Sequence, residues 1–172
     1  PSLTSTPWLT LAPAATPVPA TPSAAGGLMV DNFADPSSGW DTASNADYTL
    51  GYVDGAYRMT VIKANNEVWS THSGTAAMTD YVIEVDVRYV AGPVDNDFGV
   101  VFRVQPGNDD FYQFRISSDG YYTLRRYKDD VWTDLQPWTE SAVIAGGEAT
   151  NHIRIEAVGP FLRCSVNGQM LA

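Results

Sequence analysis

Between positions 81 and 90 the chain reads YVIEVDVRYV, and from Ile83 to Tyr89 apolar or aromatic and charged side chains alternate one by one. A period of two belongs to the β-strand, whose successive side chains leave on opposite faces, so this run must be extended if it is to bury one side and wet the other. Tyr81, Ile83, Val85, Val87 and Tyr89 then point into a core, and Glu84, Asp86 and Arg88 point away. The same alternation sends Phe98, Val100, Phe102, Tyr112, Phe114, Ile116, Tyr122, Leu124, Ile153, Ile155 and Ala157 into one interior. Left on the other side are Arg103, Gln113, Arg115, Arg125 and Tyr127. If the strands are neighbours, these join Glu84, Asp86 and Arg88 in a single polar sheet face of interleaved acids and arginines.

Strands are expected near 29–33, 48–52, 56–63, 66–72, 80–90, 97–104, 110–117, 121–128, 131–135, 151–158 and 161–167, and no helical period competes with them. Short strands at a spacing of about ten residues are the pattern of an all-β antiparallel sandwich. Asp54-Gly55 and Asp119-Gly120 mark hairpin turns, because glycine enters the left-handed backbone region without a steric cost. Asn167-Gly168 is a third such turn, but only four residues follow it. No return strand is expected there, which implies a sandwich cut short at its C-terminal side.

Residues 1–27 differ in kind. They are rich in Pro, Thr and Ala, carry no charge and show no periodicity, which is the chemistry of a polyproline tether rather than a packed unit. The chain divides on this basis into a stalk, 1–27, and a binding domain, 28–172. Should a partner surface grip the stalk, Trp8, Leu9 and Leu11 are its apolar anchors. With 20 acidic against 10 basic residues the net charge is −10, which repels phosphate backbones and anionic lipid and argues against nucleic acid as a partner. No run of 18 apolar residues occurs, so a membrane is reached only through an anchor outside this sequence, and the expected location is extracellular or at the cell surface, tethered to the envelope. The single cysteine, Cys164, alternates with Leu162 and Val166 and reads as a buried structural thiol.

The motifs DNFADPSSGW, YVDGAYRMTV, YVIEVDVRY, FGVVFRV, DFYQFRISSDGYYTLRRYKDDVWTDLQPW and NHIRIEAVGPFLRCSVNGQML, in that order, resemble the concanavalin A-like lectin/glucanase superfamily, in particular jelly-roll domains of bacterial surface proteins. The likeness covers residues 31–172. It implies two stacked curved sheets with ligands held on a concave face or at its rim. It also brings glycoside hydrolases into view, whose acids form an E-x-D-x-E pattern on one strand. Glu84 and Asp86 match the first two positions, but Arg88 stands where the second main carboxylate belongs. Acids in line with an arginine are the pattern of a solvated ion pair, so no catalytic residue is assigned.

Two kinds of site remain. The loop residues Asp95, Asp97, Asn108 and Asp109 are hard-oxygen donors of the type Ca²⁺ takes, although Asp and Asn also populate turns for backbone reasons alone. Tyr127, Trp132 and Trp138, with Arg103, Gln113, Arg115 and Arg125, combine flat rings with planar hydrogen-bonding groups, as sugar recognition requires. Each tryptophan serves equally well as a lid on the sandwich end. His72 and His152 lie in no nucleophilic or metal motif and are read as structural or surface groups. The expectation is a non-catalytic glycan-binding module; the alternatives are an accessory subunit of an envelope complex that recognises protein, and a glycosidase.

Overall fold

The computed structural model describes residues 29–72, 79–105, 107 and 110–172. All its regular structure is β, and every strand pairing is antiparallel. The eleven strands are β1 (Ala43–Ser44), β2 (Tyr48–Val53), β3 (Ala56–Val61), β4 (Tyr81–Arg88), β5 (Asp97–Phe102), β6 (Asp110–Ser117), β7 (Tyr121–Lys128), β8 (Val131–Glu140), β9 (Thr150–Val158), β10 (Phe161–Val166) and β11 (Gln169–Met170). They form a small sheet in the order β1-β2-β3 and two four-stranded sheets, β11-β10-β9-β4 and β5-β6-β7-β8.

The two four-stranded sheets make the sandwich. Phe102, Phe114, Ile116, Tyr122 and Leu124 from one meet Ile153, Ile155, Cys164 and Val166 from the other, with Ile144 closing the cluster. Tyr81, Ile83, Val85, Val87, Phe98, Val100 and Tyr112 pack against it, so the period-two reading of the interior holds. Burial of each such aliphatic or aromatic side chain contributes about 1.5–3 kcal/mol. Cys164 is wholly buried among them, and loss of solvation pushes its thiol up to about 12, which leaves it inert. At Gly99 no side chain fits: a Cβ would stand 2.1 Å from the Phe114 carbonyl oxygen.

The turns follow their residues. Asp54-Gly55 and Asn167-Gly168 both place two residues in the left-handed region, as a two-residue hairpin with right-handed twist needs. Between β6 and β7 the turn is longer, and only Gly120 is left-handed. Asp129-Asp130 makes a further two-residue turn of the same left-handed kind without any glycine, which the sequence did not single out.

Four expectations need correction. Residues 29–33 form no strand: Asp31 accepts from the Phe33 amide at 2.7 Å and Asn32 from the Ala34 amide at 3.0 Å, local side-chain turns that compete with a ladder. Residues 66–71 form no strand either, and position 72 contributes only an isolated bridge, Trp40 with His72. The turn at Asn167-Gly168 does return, through the short β11, after which Leu171 and Ala172 donate backbone hydrogen bonds to the Cys164 carbonyl. Finally, β8 runs to Glu140 instead of 135, past Pro137; β8 is the edge strand of its sheet, where a missing amide donor is tolerated. The register of β8 against β7 shifts on either side of Leu124, and the Thr123 hydroxyl donates to the Gln136 carbonyl at 2.8 Å beside that irregularity.

Candidate functional site

The expected single polar face is divided between the two sheets. Glu84, Asp86 and Arg88 stand on β4, in the sheet with β9, whereas Gln113, Arg115, Arg125 and Tyr127 stand on β6 and β7 of the other. Alternation shows which side chains share a side of their own strand; it cannot show which strands share a sheet. Arg103 leaves the group as well. It lies just past β5 with φ 53°, and its guanidinium donates to the Gly159 carbonyl at 2.7 Å and to the Thr79 carbonyl at 3.3 Å. Its amide also donates to the Tyr81 hydroxyl at 2.6 Å, so Arg103 ties β5 to the opposite sheet rather than facing a ligand.

The outer side of β5-β6-β7-β8 is organised from end to end. Phe111 pairs with Tyr127, and Tyr127 with Trp132, on neighbouring strands. Their rings lie 5.0–5.6 Å apart, and Trp69 adds a fourth ring 5.9 Å from Phe111. Phe111 is thereby buried although it faces away from the sandwich core. The Arg125 guanidinium lies 4.3 Å from the Trp132 ring centre and donates to Asp134 at 2.9 Å. Trp132 is thus walled in by Tyr127, Phe111 and Arg125, and it anchors this end.

Next along β6 come Gln113 and Arg115. Gln113 is 1 % exposed, and its amide nitrogen donates to Glu67 at 2.6 Å. Arg115 donates to Glu67 at 3.2 Å and to Asp97 at 3.1 Å. Burial pushes the Asp97 carboxyl above the ordinary aspartate range; Arg115 opposes the shift and Glu67 adds to it. The expected calcium ligand Asp97 is therefore engaged by an arginine, while Asn108 and Asp109 lie outside the described residues. Among the described residues, no group of three or more His, Cys, Asp or Glu could hold a metal ion.

At the far end, Arg115 reaches the ring of Trp138, 5.8 Å from its centre. Trp138 is 45 % exposed and Tyr121 38 %, and the two border a depression of about 300 Å³ lined also by Asp95, Ser117 and Asp119. Ser117 donates to Asp119 at 2.5 Å, which orients that carboxylate. The two tryptophans therefore separate: Trp132 packs, and Trp138 offers a ring. Tyr121, Asp119, Glu67 and Trp69 are not among the site residues that the sequence suggests. Tyr121 and Asp119 border the recognisable turn at Gly120, whereas Glu67 and Trp69 reach the face from a segment that sequence patterning misread as a strand.

The acids of the hydrolase-like pattern are occupied elsewhere. Glu84 accepts from Arg154 at 2.6 Å, Arg154 also holds Glu156 at 2.7 Å, and Asp86 meets His152 at 2.8 Å. The hydrogen bonds that Arg154 donates to Glu156 lower the Glu156 carboxyl and raise Arg154. His72 makes its contact with the Ser38 carbonyl at 2.7 Å, beside the aromatic cluster of Phe33, Trp40 and Tyr57. The anchors Trp8, Leu9 and Leu11 lie outside the described residues.

No family model matches the sequence, and no curated protein does. Among solved structures the fold is similar to a carbohydrate-binding module, CBM66 from Bacillus subtilis, with a TM-score of 0.53 over 78 % of each chain at 14 % identity. At that identity the likeness establishes a shared β-sandwich fold.

Proposed function

We propose that this domain binds carbohydrate without transforming it, with a sugar ring resting on Trp138. The observation that carries this reading is the depression at the end of β6 and β7. Two exposed aromatic rings, Trp138 and Tyr121, border Asp95, Asp119 and Ser117 there. A ring face takes the apolar side of a sugar, and carboxylates and a hydroxyl accept or donate to its hydroxyls. The sandwich it shares with a carbohydrate-binding module and the resemblance to concanavalin A-like jelly rolls support the same reading. The absence of catalysis rests on Glu84 and Asp86, which are paired to Arg154 and His152 on the other sheet, away from the rings. The Pro- and Thr-rich stretch 1–27 supports display outside the cytoplasm.

A glycan array probed with wild type, Trp138→Ala and Trp132→Ala tests the proposal. Wild type binds a set of sugars; Trp138→Ala loses about tenfold or more in affinity while its melting temperature holds, and Trp132→Ala loses thermal stability first. An array on which wild type binds no sugar would refute the reading. A second reading, recognition of an envelope protein by strand addition, is favoured by β3: it is an edge strand and leaves Met59 and Val61 exposed.

A further inference from the structure

Residues 62–71 cross from the small sheet to the binding face without joining a ladder, and the side chains of Glu67 and Trp69 are what touch β6. Glu67 is 42 % exposed at its side chain, yet one of its oxygens sits on the Gln113 amide nitrogen at 2.6 Å and the Arg115 guanidinium at 3.2 Å. The two donors belong to the rigid central strand, and Gln113 is 1 % exposed. The acceptor belongs to a segment held outside the sheets. Donors fixed by the sheet, and a carboxylate supplied from a segment outside the ladders, form a built seat with an internal occupant.

Two further observations indicate what else could sit there. The Oε1 of Gln113 and the Nε of Arg115 are buried with no hydrogen-bond partner among the described residues, so the seat is not saturated by Glu67. With Glu67 in place, three carboxylates, Glu67, Asp97 and Asp134, oppose two guanidinium groups, Arg115 and Arg125. Removing Glu67 balances the charges and leaves Arg115 with Asp97 alone. A ligand carboxylate can then take the place of Glu67 on the same two donors with no net change of charge, and a hydroxyl next to it can supply the donor that Gln113 Oε1 lacks. A carboxylate with adjacent hydroxyls on a sugar ring is a hexuronate. Arg115 also touches Trp138, so the seat adjoins the ring platform.

We infer that Gln113 and Arg115 form a seat for the carboxylate of a sugar acid, and that Glu67 occupies it as an internal competitor until such a ligand displaces it. The inference rests on the carbohydrate-binding reading and names the ligand class of the same face. The net charge of −10 opposes long polyanions, but at physiological ionic strength such repulsion is screened over about 8 Å. The seat therefore suits a terminal or isolated uronate better than a polyuronate.

The test is an array carrying short oligogalacturonates and oligomannuronates beside their neutral counterparts, read as half-saturation concentrations for the full chain. Glu67→Ala is expected to bind uronate oligomers at least tenfold more tightly than wild type, with neutral binding changed less than about threefold. Glu67→Gln, which keeps the volume and removes the charge, is expected to gain less; it also serves if the alanine variant melts early. In the double variant Glu67→Ala/Arg115→Ala the gain disappears. If neutral sugars bind and Trp138→Ala abolishes that binding, but the Glu67 variants gain nothing for uronates, the seat is refuted and the platform stands. If no variant binds either class, both readings fall.

Discussion

The outer surfaces of the two sandwich sheets are built from the same kinds of residue and do opposite things with them. On the sheet containing β4, β9 and β10, Glu84, Arg154, Glu156 and Arg163 form a chain of ion pairs at 2.6–3.4 Å, with Asp86 and His152 beside it. These groups are half-buried to exposed, each has a near partner, and the arginines among them lie against carboxylates. On β5-β6-β7-β8 the arginines lie against tryptophans, a glutamine and a phenylalanine are buried on the solvent side, and two polar atoms lack partners among the described residues. A ladder of satisfied surface charges adds solubility and little else. Rings and incompletely satisfied donors on a rigid sheet are groups with something left to bind.

The largest expected consequence of this contrast is in stability. Phe111 is 3 % exposed beneath Trp69, Tyr127 and Trp132, so Phe111→Ala opens a cavity on the outer side of β5-β6-β7-β8 and is expected to cost about 3–5 kcal/mol. Arg154→Ala on the other sheet removes two surface pairs, one of them partly buried, and is expected to cost about 1 kcal/mol or less. Urea denaturation of the two variants compares them directly. Equal losses would mean that the aromatic end is no second core and that the contrast is cosmetic.

A smaller effect is expected at Thr123, which is 1 % exposed and donates to the Gln136 carbonyl where β8 slips its register. Thr123→Val keeps the shape and leaves that carbonyl without its donor, for about 1–3 kcal/mol. The loss should be accompanied by faster amide hydrogen exchange along β8 but not along β10. Uniform exchange in both strands would show that the irregular edge is not locally pinned.

The legibility of the two faces from sequence was unequal for a physical reason. Alternation is a property of one strand, and it identified the interior from Ile83 through Val166 because any sandwich must bury that side. Which strands become neighbours depends on contacts between residues far apart in the chain, and here Glu84 and Arg115 were placed together although their strands belong to different sheets. Arg103 was misplaced because one left-handed residue at a strand end turns its side chain off the face. Gln113, Arg115, Arg125 and Tyr127 do share one face of one sheet, as expected, because all four obey the period of the neighbouring strands β6 and β7. Glu67 was not, since its role comes from where a non-repetitive segment is laid down. Trp132 and Trp138 were indistinguishable by composition, and only their neighbours separate a packed ring from an offered one.

The smallest expected effect is also the sharpest in sign, because one acid on each face is shifted in opposite directions. Glu156 is lowered by Arg154, so its contribution to stability is present above the ordinary glutamate value of 4.5 and is lost as pH falls through the lowered one. Asp97 is raised by burial, so the folded state holds its proton more tightly than the unfolded chain does. Its contribution is present below the ordinary value of 3.8 and is lost as pH rises through the raised one. Relative to wild type, Glu156→Gln should therefore lose its deficit on acidification below about 4.5, and Asp97→Asn should gain steadily as pH climbs from about 3.8, each within about 1 kcal/mol because both groups are partly solvated. Urea midpoints taken across that range for both variants decide the matter. Curves of the same sign would show that Asp97 is held as an ordinary surface acid, and the face of β5-β6-β7-β8 would then differ from its counterpart in its rings and its buried glutamine but not in how it holds its acids.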